Sequence, residues 1–443
     1  MGASVHLDVF EASNTVGGRT QFFHYENQTY ELGASILHEQ NQYFRDYADK
    51  LAKEDGAPTQ RAAMRDGGPA AVYDGRRFVF NESDWTVVNL YNIMRRYGLS
   101  YFWLRSAPRS MLQRYLRLYE LEREGRAYET PEALLGAVGL HKATQRSLRA
   151  ELKARVGVGK GAQRLAAELV AGINHVQYNQ GNDINAFAGM VSLLPTIDGR
   201  LFRLEKGNAR LPAALLGASG ANVTRARVTE IARQRDGTFS LSLRPGGRSA
   251  ADEAEEVVGG YAAVVLATPL ERSGGLCLKG VGPAPRERRF QRTVTTFVRG
   301  RLDPAYFGVA RLPAEYILTA EGAGTPFSVI SRLRTFVDGS RLYKLFSAAP
   351  MADAQLAALF RNASRVAEHD WAAAYPVFGA PEGFAPFQLA EGLMYVSAWE
   401  NAASAMEMAA VAARNCALLV QRHLHRLAGG APASAPDPGA ASN

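Results

Sequence analysis

Residues 261–269 read YAAVVLATP, an apolar run of strand length with no charged residue in it. A strand that carries apolar side chains on both faces belongs in the middle of a parallel sheet covered by helices. Parallel neighbours cannot come from a tight hairpin, so the partners of this run must lie far away along the chain. Residues 5–11, VHLDVFE, alternate like a strand at the beginning, and SNTVGGRT turns before TYELGASIL returns extended. Near the end, MYVSAW (394–399) leads into a helix-forming stretch from about Ala402 to Leu427. One α/β unit is therefore expected from the beginning, middle and end of the chain.

The intervening residues have a different character. VYDGRRFVF (72–80) reads as a hairpin with Asp74-Gly75 at its tip, and residues 84–174 are mostly helical and Arg-rich. ANVTRARVTEIARQ pairs with TFSLSLR across Asp236-Gly237, and residues 290–299, 326–333 and 342–347 read as further strands. At 443 residues and 47% hydrophobic, the chain can bury two cores of ordinary size. The longest apolar helical stretch, Ala402 to Val420, is broken by Glu407 and Arg414, so no transmembrane helix is expected. With only Cys277 and Cys416 and no CxxC, a disulfide framework is excluded, and redox chemistry would need a borrowed cofactor. The basic excess, 51 Lys and Arg against 43 Asp and Glu, is scattered, with no zinc-spaced Cys and His and no nucleic-acid motif. No nucleic-acid partner is expected.

Four stations point to a dinucleotide. Glu11 closes the first strand, where a carboxylate can accept hydrogen bonds from both adenosine ribose hydroxyls. Gly17, Gly18 and Arg19 follow, two residues that let backbone amides approach a pyrophosphate and one that adds charge-assisted bonds; Gly33, Ala34 and Ser35 close ELGAS. Val228 in RVTEI resembles the adenine-facing position of flavoproteins, and VVLATP, closing in Thr268 and Pro269, resembles the strand and turn they place beside the cofactor; plain core is the alternative reading of either. Glu400 precedes a helix beginning near Ala405 and Met406, whose free N–H groups would face an anionic flavin. The first strand and GxGxxG loop of such a fold are missing ahead of Val5, so an N-terminal truncation is expected. Gly157, Gly159 and Gly161 follow no strand and read as an interhelical turn. The expected fold is a doubly wound FAD-binding domain (1–70, 205–290 and 390–428) with an inserted, mainly helical substrate domain (71–204 and 291–389) and a disordered tail (429–443).

HVQYNQGNDINAFAGMVSLL (175–194), LFRLEKGNARLPAALL (201–216), VYDGRRFVFNESDW (72–85), TVTTFVRG (293–300), LYKLFS (342–347) and ENAASAMEMAAVAARNCALL (400–419) resemble the prenylcysteine oxidases and farnesylcysteine lyases. The resemblance runs from Val5 to about His425. It implies FAD as cofactor, and oxidation of the thioether of farnesyl- or geranylgeranyl-cysteine to prenyl aldehyde, cysteine and hydrogen peroxide, with O2 as acceptor. It also implies hydride loss from a carbon both allylic and bonded to sulfur, where no strong base is needed. Tyr178, Asn185 and Phe187, in the segment that carries the resemblance, are the expected substrate residues. Another flavin amine oxidase or desaturase, or an inactive truncated remnant, are the alternative readings.

No catalytic dyad stands out. His38, His175 and His369 lie nearest to motifs and read as structural residues. TVTTFVRG lacks the lysine that amine oxidases carry beside the flavin; Lys344 is a candidate substitute, but reads rather as a surface or strand-edge lysine, since Lys is rarely buried unless paired. Residues 91–119 interleave Tyr, Phe102 and Trp103 with Arg, a composition that suits either a membrane surface or an ordinary amphipathic face over the substrate domain. The resemblance implies a lysosomal or vacuolar compartment, and the sequons at Asn27, Asn81, Asn222 and Asn362 agree with passage through the secretory route.

Overall fold

The computed structural model describes residues 5–56, 61–63, 69–83, 85–246, 255–381 and 383–429. All but the first residue of the expected tail therefore lies outside the described residues. The central apolar run forms the strand Val264–Leu266, which pairs in parallel with Leu393–Tyr395. The opening segment forms Asp8–Phe10, parallel to Asn222–Thr224. Each parallel pair joins segments far apart in sequence. The apolar run is not a covered central strand, however: it is the edge of a three-stranded sheet, and its half-exposed Val265 lines a cavity instead of packing under a helix. Beside them, Glu256–Tyr261, Phe239–Pro245, Ala226–Arg233 and Cys277–Lys279 form a four-stranded sheet that contains the Asp236-Gly237 hairpin.

The other half of the molecule sets a helical block, the larger part of its regular structure, against one large sheet. Helices between Thr86 and Asp198 lie against a seven-stranded sheet in the order Phe360–Pro376, Phe290–Leu302, Arg341–Ser347, Val329–Thr335, Tyr316–Thr319, Ala70–Tyr73, Phe78–Asn81. The longest of these strands, Phe360–Pro376, is one that its composition conceals: FRNASRVAEHDWAAAYP is rich in Ala, which favours helix. It is extended because it pairs along Phe290–Leu302, whose Val294, Phe297 and Val298 are fully buried. As an edge strand it can leave its polar residues in water. The 157–161 glycines fall where expected, Gly157 ending the helix Leu148–Val156 and Gly159 preceding Lys160–Arg164.

The C-terminal helix Met406–Leu427 locks the two halves together through buried carboxylates. Glu407 accepts from the backbone N–H of Tyr43 at 2.8 Å and of Phe44 at 3.0 Å, so a side chain from the end of the protein caps the helix Gln42–Glu54 near its beginning. Tyr119, on the helix Ser100–Arg123, donates its hydroxyl to the same carboxylate at 2.6 Å. One turn further on, Glu122 accepts from the Tyr43 hydroxyl and is fully buried. Desolvation pushes the Glu122 carboxyl up to about 8, against the Tyr43 hydrogen bond and the Arg414 charge, with Glu407 adding to the rise.

Because the folded value lies above the unfolded one, the contribution of Glu122 to stability is complete below the ordinary carboxyl range and is lost as pH rises through about 8. Replacing it by an uncharged isostere, Glu122→Gln, removes that dependence. Urea unfolding between about pH 5 and pH 9 is expected to show the parent losing about 2–4 kcal/mol relative to the variant. Parallel pH profiles for the two proteins would contradict a buried, protonated Glu122.

Candidate functional site

A cavity of about 2750 Å³ runs between the two halves. Small-molecule pockets usually measure about 300–1,000 Å³, so this one has room for a large ligand and a second one beside it. Every residue assigned to the dinucleotide from sequence lines it: Glu11, Gly17, Gly18 and Arg19, then Gly33 to Ser35, Val228, Thr268 and Pro269, and Glu400, Ala405 and Met406.

Arg19 is the hinge of this arrangement. Its guanidinium donates to the Ala374 carbonyl at 2.7 Å and pairs with the Glu400 carboxylate. The loop that presents it needs its glycines: Gly17 and Gly18 have φ of +102° and +56°, which side-chain-bearing residues rarely adopt. Gly33 is constrained by space instead. A Cβ there would sit 2.2 Å from the Arg19 carbonyl oxygen and 3.0 Å from the Trp371 ring, so only glycine lets ELGAS lie against the loop.

Two acceptors face this space with capacity to spare. Glu11 receives the Ser13 N–H at 2.8 Å and the Ser13 hydroxyl at 2.6 Å on one oxygen, Oε1. Glu400 is 7% exposed, and its Oε2 is buried without a hydrogen-bond partner, a costly state unless a ligand donor meets it. The helix Met406–Leu427 starts beside it from an extended Ala405 with no side-chain cap, although Ala403 to Met406 line the cavity. Its N-terminal dipole end therefore contributes positive potential there.

Of the three expected substrate residues, only Tyr178 lines the cavity, its ring 5.2 Å from Tyr375 and 4.6 Å from Phe378. Burial raises its hydroxyl pKa. Asn185 is instead the cap of the helix Ala186–Asp198, accepting the Ala188 N–H at 2.8 Å and donating to the Asn401 and Ala402 carbonyls. It acts on the site through the segment after Glu400. Phe187 is fully buried in the core and does not line the cavity. The reason is helical geometry: Ala186–Asp198 turns these side chains inward against its neighbours.

Lys344 also departs from expectation. It is 8% exposed, lines the cavity, donates to the Glu31 carbonyl at 2.8 Å and lies over the rings of Phe297 and Phe346. Its strand, RLYKLFS, sits inside the seven-stranded sheet and is buried along nearly its whole length, so its lysine is carried inward. The continuous apolar company of Lys344 in LYKLFS was the available signal. Desolvation lowers its ammonium to about 8, with Glu31 opposing. His38 and His369 line the cavity, His369 with its ring 3.9 Å from Trp371 and its pKa lowered by burial against the Asp370 charge. His175 faces away and meets the Thr319 carbonyl at 3.0 Å. Trp371, Ala374 and Tyr375 come from the edge strand that sequence reading missed, and so escaped notice as site residues.

The family model described as prenylcysteine lyase matches residues 80–429. The chain is 32% identical over 427 residues to a farnesylcysteine lyase of Arabidopsis thaliana, covering 93% of this chain and 81% of that protein. It is 31% identical to a prenylcysteine oxidase 1-like protein of Bos taurus, with coverages of 94% and 85%, and 28% identical to prenylcysteine oxidase 1 of Homo sapiens, with coverages of 94% and 84%. Among solved structures, the fold is similar to that of a putrescine oxidase mutant, with a TM-score of 0.54, 12% identity and coverages of 94% and 93%. A CLA-producing fatty acid isomerase from P. acnes is similar at a TM-score of 0.53, 13% identity and coverages of 94% and 92%.

The depressed Lys344 ammonium has a measurable consequence. Its folded pKa lies below the unfolded value of 10.5, so its contribution is present above that value and is lost as pH falls through about 8. At neutral pH the buried charge therefore costs stability. Lys344→Met is expected to be more stable than the parent at pH 7 by about 1–3 kcal/mol, with the gap closing toward pH 10. Thermal unfolding across that range checks it; a variant less stable than the parent at neutral pH would show that the ammonium is fully compensated.

Proposed function

This chain belongs to the prenylcysteine lyase family, and on that premise we propose that it is an FAD-dependent thioether oxidase that cleaves farnesyl- or geranylgeranyl-cysteine. The observation that carries the reading is the convergence of Glu11, Gly17–Arg19, Val228, Thr268 and Glu400, from separate parts of the chain, on one cavity large enough for a dinucleotide and a long apolar substrate. The residues present fit the cofactor. Glu11 has a carboxylate oxygen left for ribose, Gly33 keeps the adjoining backbone open, and the buried Glu400 Oε2 lacks a donor. FAD, when bound, supplies the hydride acceptor that the chain itself lacks.

The overall reaction balances as prenyl-CH2–S–cysteine plus water and O2 giving prenyl aldehyde, cysteine thiol and hydrogen peroxide. The C–H and C–S bonds break, the carbon gains oxygen from water, and O2 takes two electrons and two protons. The cation left by hydride loss is stabilised by the substrate's own double bond and sulfur, so the protein's part is chiefly to bind and orient. Tyr178 and Tyr375 offer apolar ring faces for the prenyl chain. Arg19 would supply positive potential for the pyrophosphate, and the N-terminus of Met406–Leu427 for an anionic flavin. Lys344 holds its proton at Nζ below about pH 8, keeping a positive charge in the wall.

The test is peroxide release from farnesylcysteine by the flavin-loaded protein, with putrescine as the competing substrate. Farnesylcysteine-dependent peroxide and farnesal are expected, with no turnover of putrescine; the reverse preference would replace this reading by an amine oxidase. In the same preparation Glu11→Ala is expected to weaken flavin retention by about tenfold or more while leaving the circular dichroism spectrum unchanged, through loss of charge-assisted bonds to ribose. Equal flavin occupancy would remove Glu11 from the site.

We further propose a lysosomal or vacuolar location. The asparagines of all four sequons, Asn27, Asn81, Asn222 and Asn362, are exposed, which supports glycan attachment. Protein isolated from its native source is expected to lose apparent mass on treatment with an N-glycosidase. An unchanged mass together with cytosolic fractionation would contradict this location.

A further inference from the structure

We propose that the helix Thr86–Tyr97, with Trp85 before it and Leu99 and Phe102 after it, is a docking surface for an anionic lipid bilayer. Scattered exposed apolar residues are ordinary on a soluble protein, but contiguous ones are not. Here Trp85 is 75% exposed, Val87 80%, Leu90 52%, Tyr91 65%, Leu99 76% and Phe102 56%. Tyr97 is the only described residue of this helix that is buried. Val87 and Tyr91 are four residues apart and share a face, which Arg95 continues at the next turn.

Charge identifies the partner. From Trp85 to Tyr119 the sequence contains Arg95, Arg96, Arg105, Arg109, Arg114 and Arg117 and no Asp or Glu. Arg96 is neutralised by Glu168, but Arg95, Arg105 and Arg109 are exposed with no ion-pair partner among the described residues. An apolar face rimmed by arginine is the pattern of a helix lying in a membrane interface, where Trp and Tyr sit at headgroup depth and arginines reach lipid phosphates. A second copy of the chain fits less well, because a two-fold contact through this face would bring the same unpaired arginines against each other. Among the described residues no helix is long and apolar enough to cross a membrane, so the contact is peripheral.

The surface also lies beside the cavity, whose wall reaches Phe80, Glu82 and Ser83, the strand end and turn that lead into the helix. A substrate with a long apolar chain partitions into bilayers, and a docked protein could take it up without exposing that chain to water. This last step rests on the thioether-oxidase reading; the docking surface does not.

The test is co-sedimentation of the full chain with vesicles of phosphatidylcholine alone or with about one-third phosphatidylserine, without substrate. Binding to the anionic vesicles is expected, weaker on neutral ones and weakened by salt. Val87→Ser with Tyr91→Ser should reduce binding about tenfold or more, and Arg105→Gln with Arg109→Gln should remove the preference for anionic lipid. All four side chains project to solvent or its margin, and unchanged melting temperatures would show that the variants fold. Equal sedimentation of parent and both variants overturns the proposal. So does light scattering that shows a dimer dissolved by Val87→Ser with Tyr91→Ser and no vesicle binding by the parent. Because no substrate is present, failure of the proposed reaction leaves the sedimentation result standing.

Discussion

The contact between Arg19 and Glu400 is the point on which the site depends. It joins the loop after the first described strand to the segment that opens the C-terminal helix, while the second hydrogen bond of Arg19 reaches Ala374 on the edge strand. Three segments remote in sequence are thus held around one cavity. A half-buried ion pair of this kind adds little net stability, because desolvation of Glu400 offsets an attraction that solvent screens on the Arg19 side. Its value is orientation. With Gly33 allowing the backbone to close against Arg19, the guanidinium and the remaining carboxylate oxygen of Glu400 are presented together to the cavity.

Further buried polar groups do the same work for the surrounding helices. Glu407 caps a helix near the start of the chain, and Asn185 caps Ala186–Asp198 while binding the carbonyls just after Glu400. Each satisfies backbone groups that would otherwise be buried unpaired. The consequence is that the wall bearing Glu400 is supported from behind by Asn185, and the helix starting at Met406 is anchored by Glu407. A rigid frame of this sort suits chemistry in which the substrate supplies its own cation stabilisation and needs mainly to be held.

Much of the cavity wall between Glu11 and Arg19 and at Thr268-Pro269 was legible because its requirements are local. A carboxylate closing a strand, paired glycines before an arginine, and an apolar run ending in a Thr-Pro turn each state their conformation in a few residues, and Glu11, Gly17, Gly18, Arg19, Thr268 and Pro269 all line the cavity. The hairpins at Asp74-Gly75 and Asp236-Gly237 were readable for the same reason. On the substrate side the strand Phe360–Pro376 was concealed by helix-favouring composition, and its Trp371 and Tyr375 were overlooked with it.

The amino-acid sequence by itself determined the α/β class, the parallel pairing of segments remote in the chain and the residue types that reach the cavity from the glycine loop and the Thr-Pro turn, since these follow from short-range pattern and residue type. Tertiary structure alone decided which polar residues face the ligand. Asn185 and Phe187 stand two residues apart in the segment most characteristic of the family, yet one is a helix cap and the other core. Lys344, an ordinary surface residue by type, is drawn into the cavity wall by strands on both sides of its own. Burial is a property of what packs against a side chain, and those neighbours come from parts of the chain that no local pattern names.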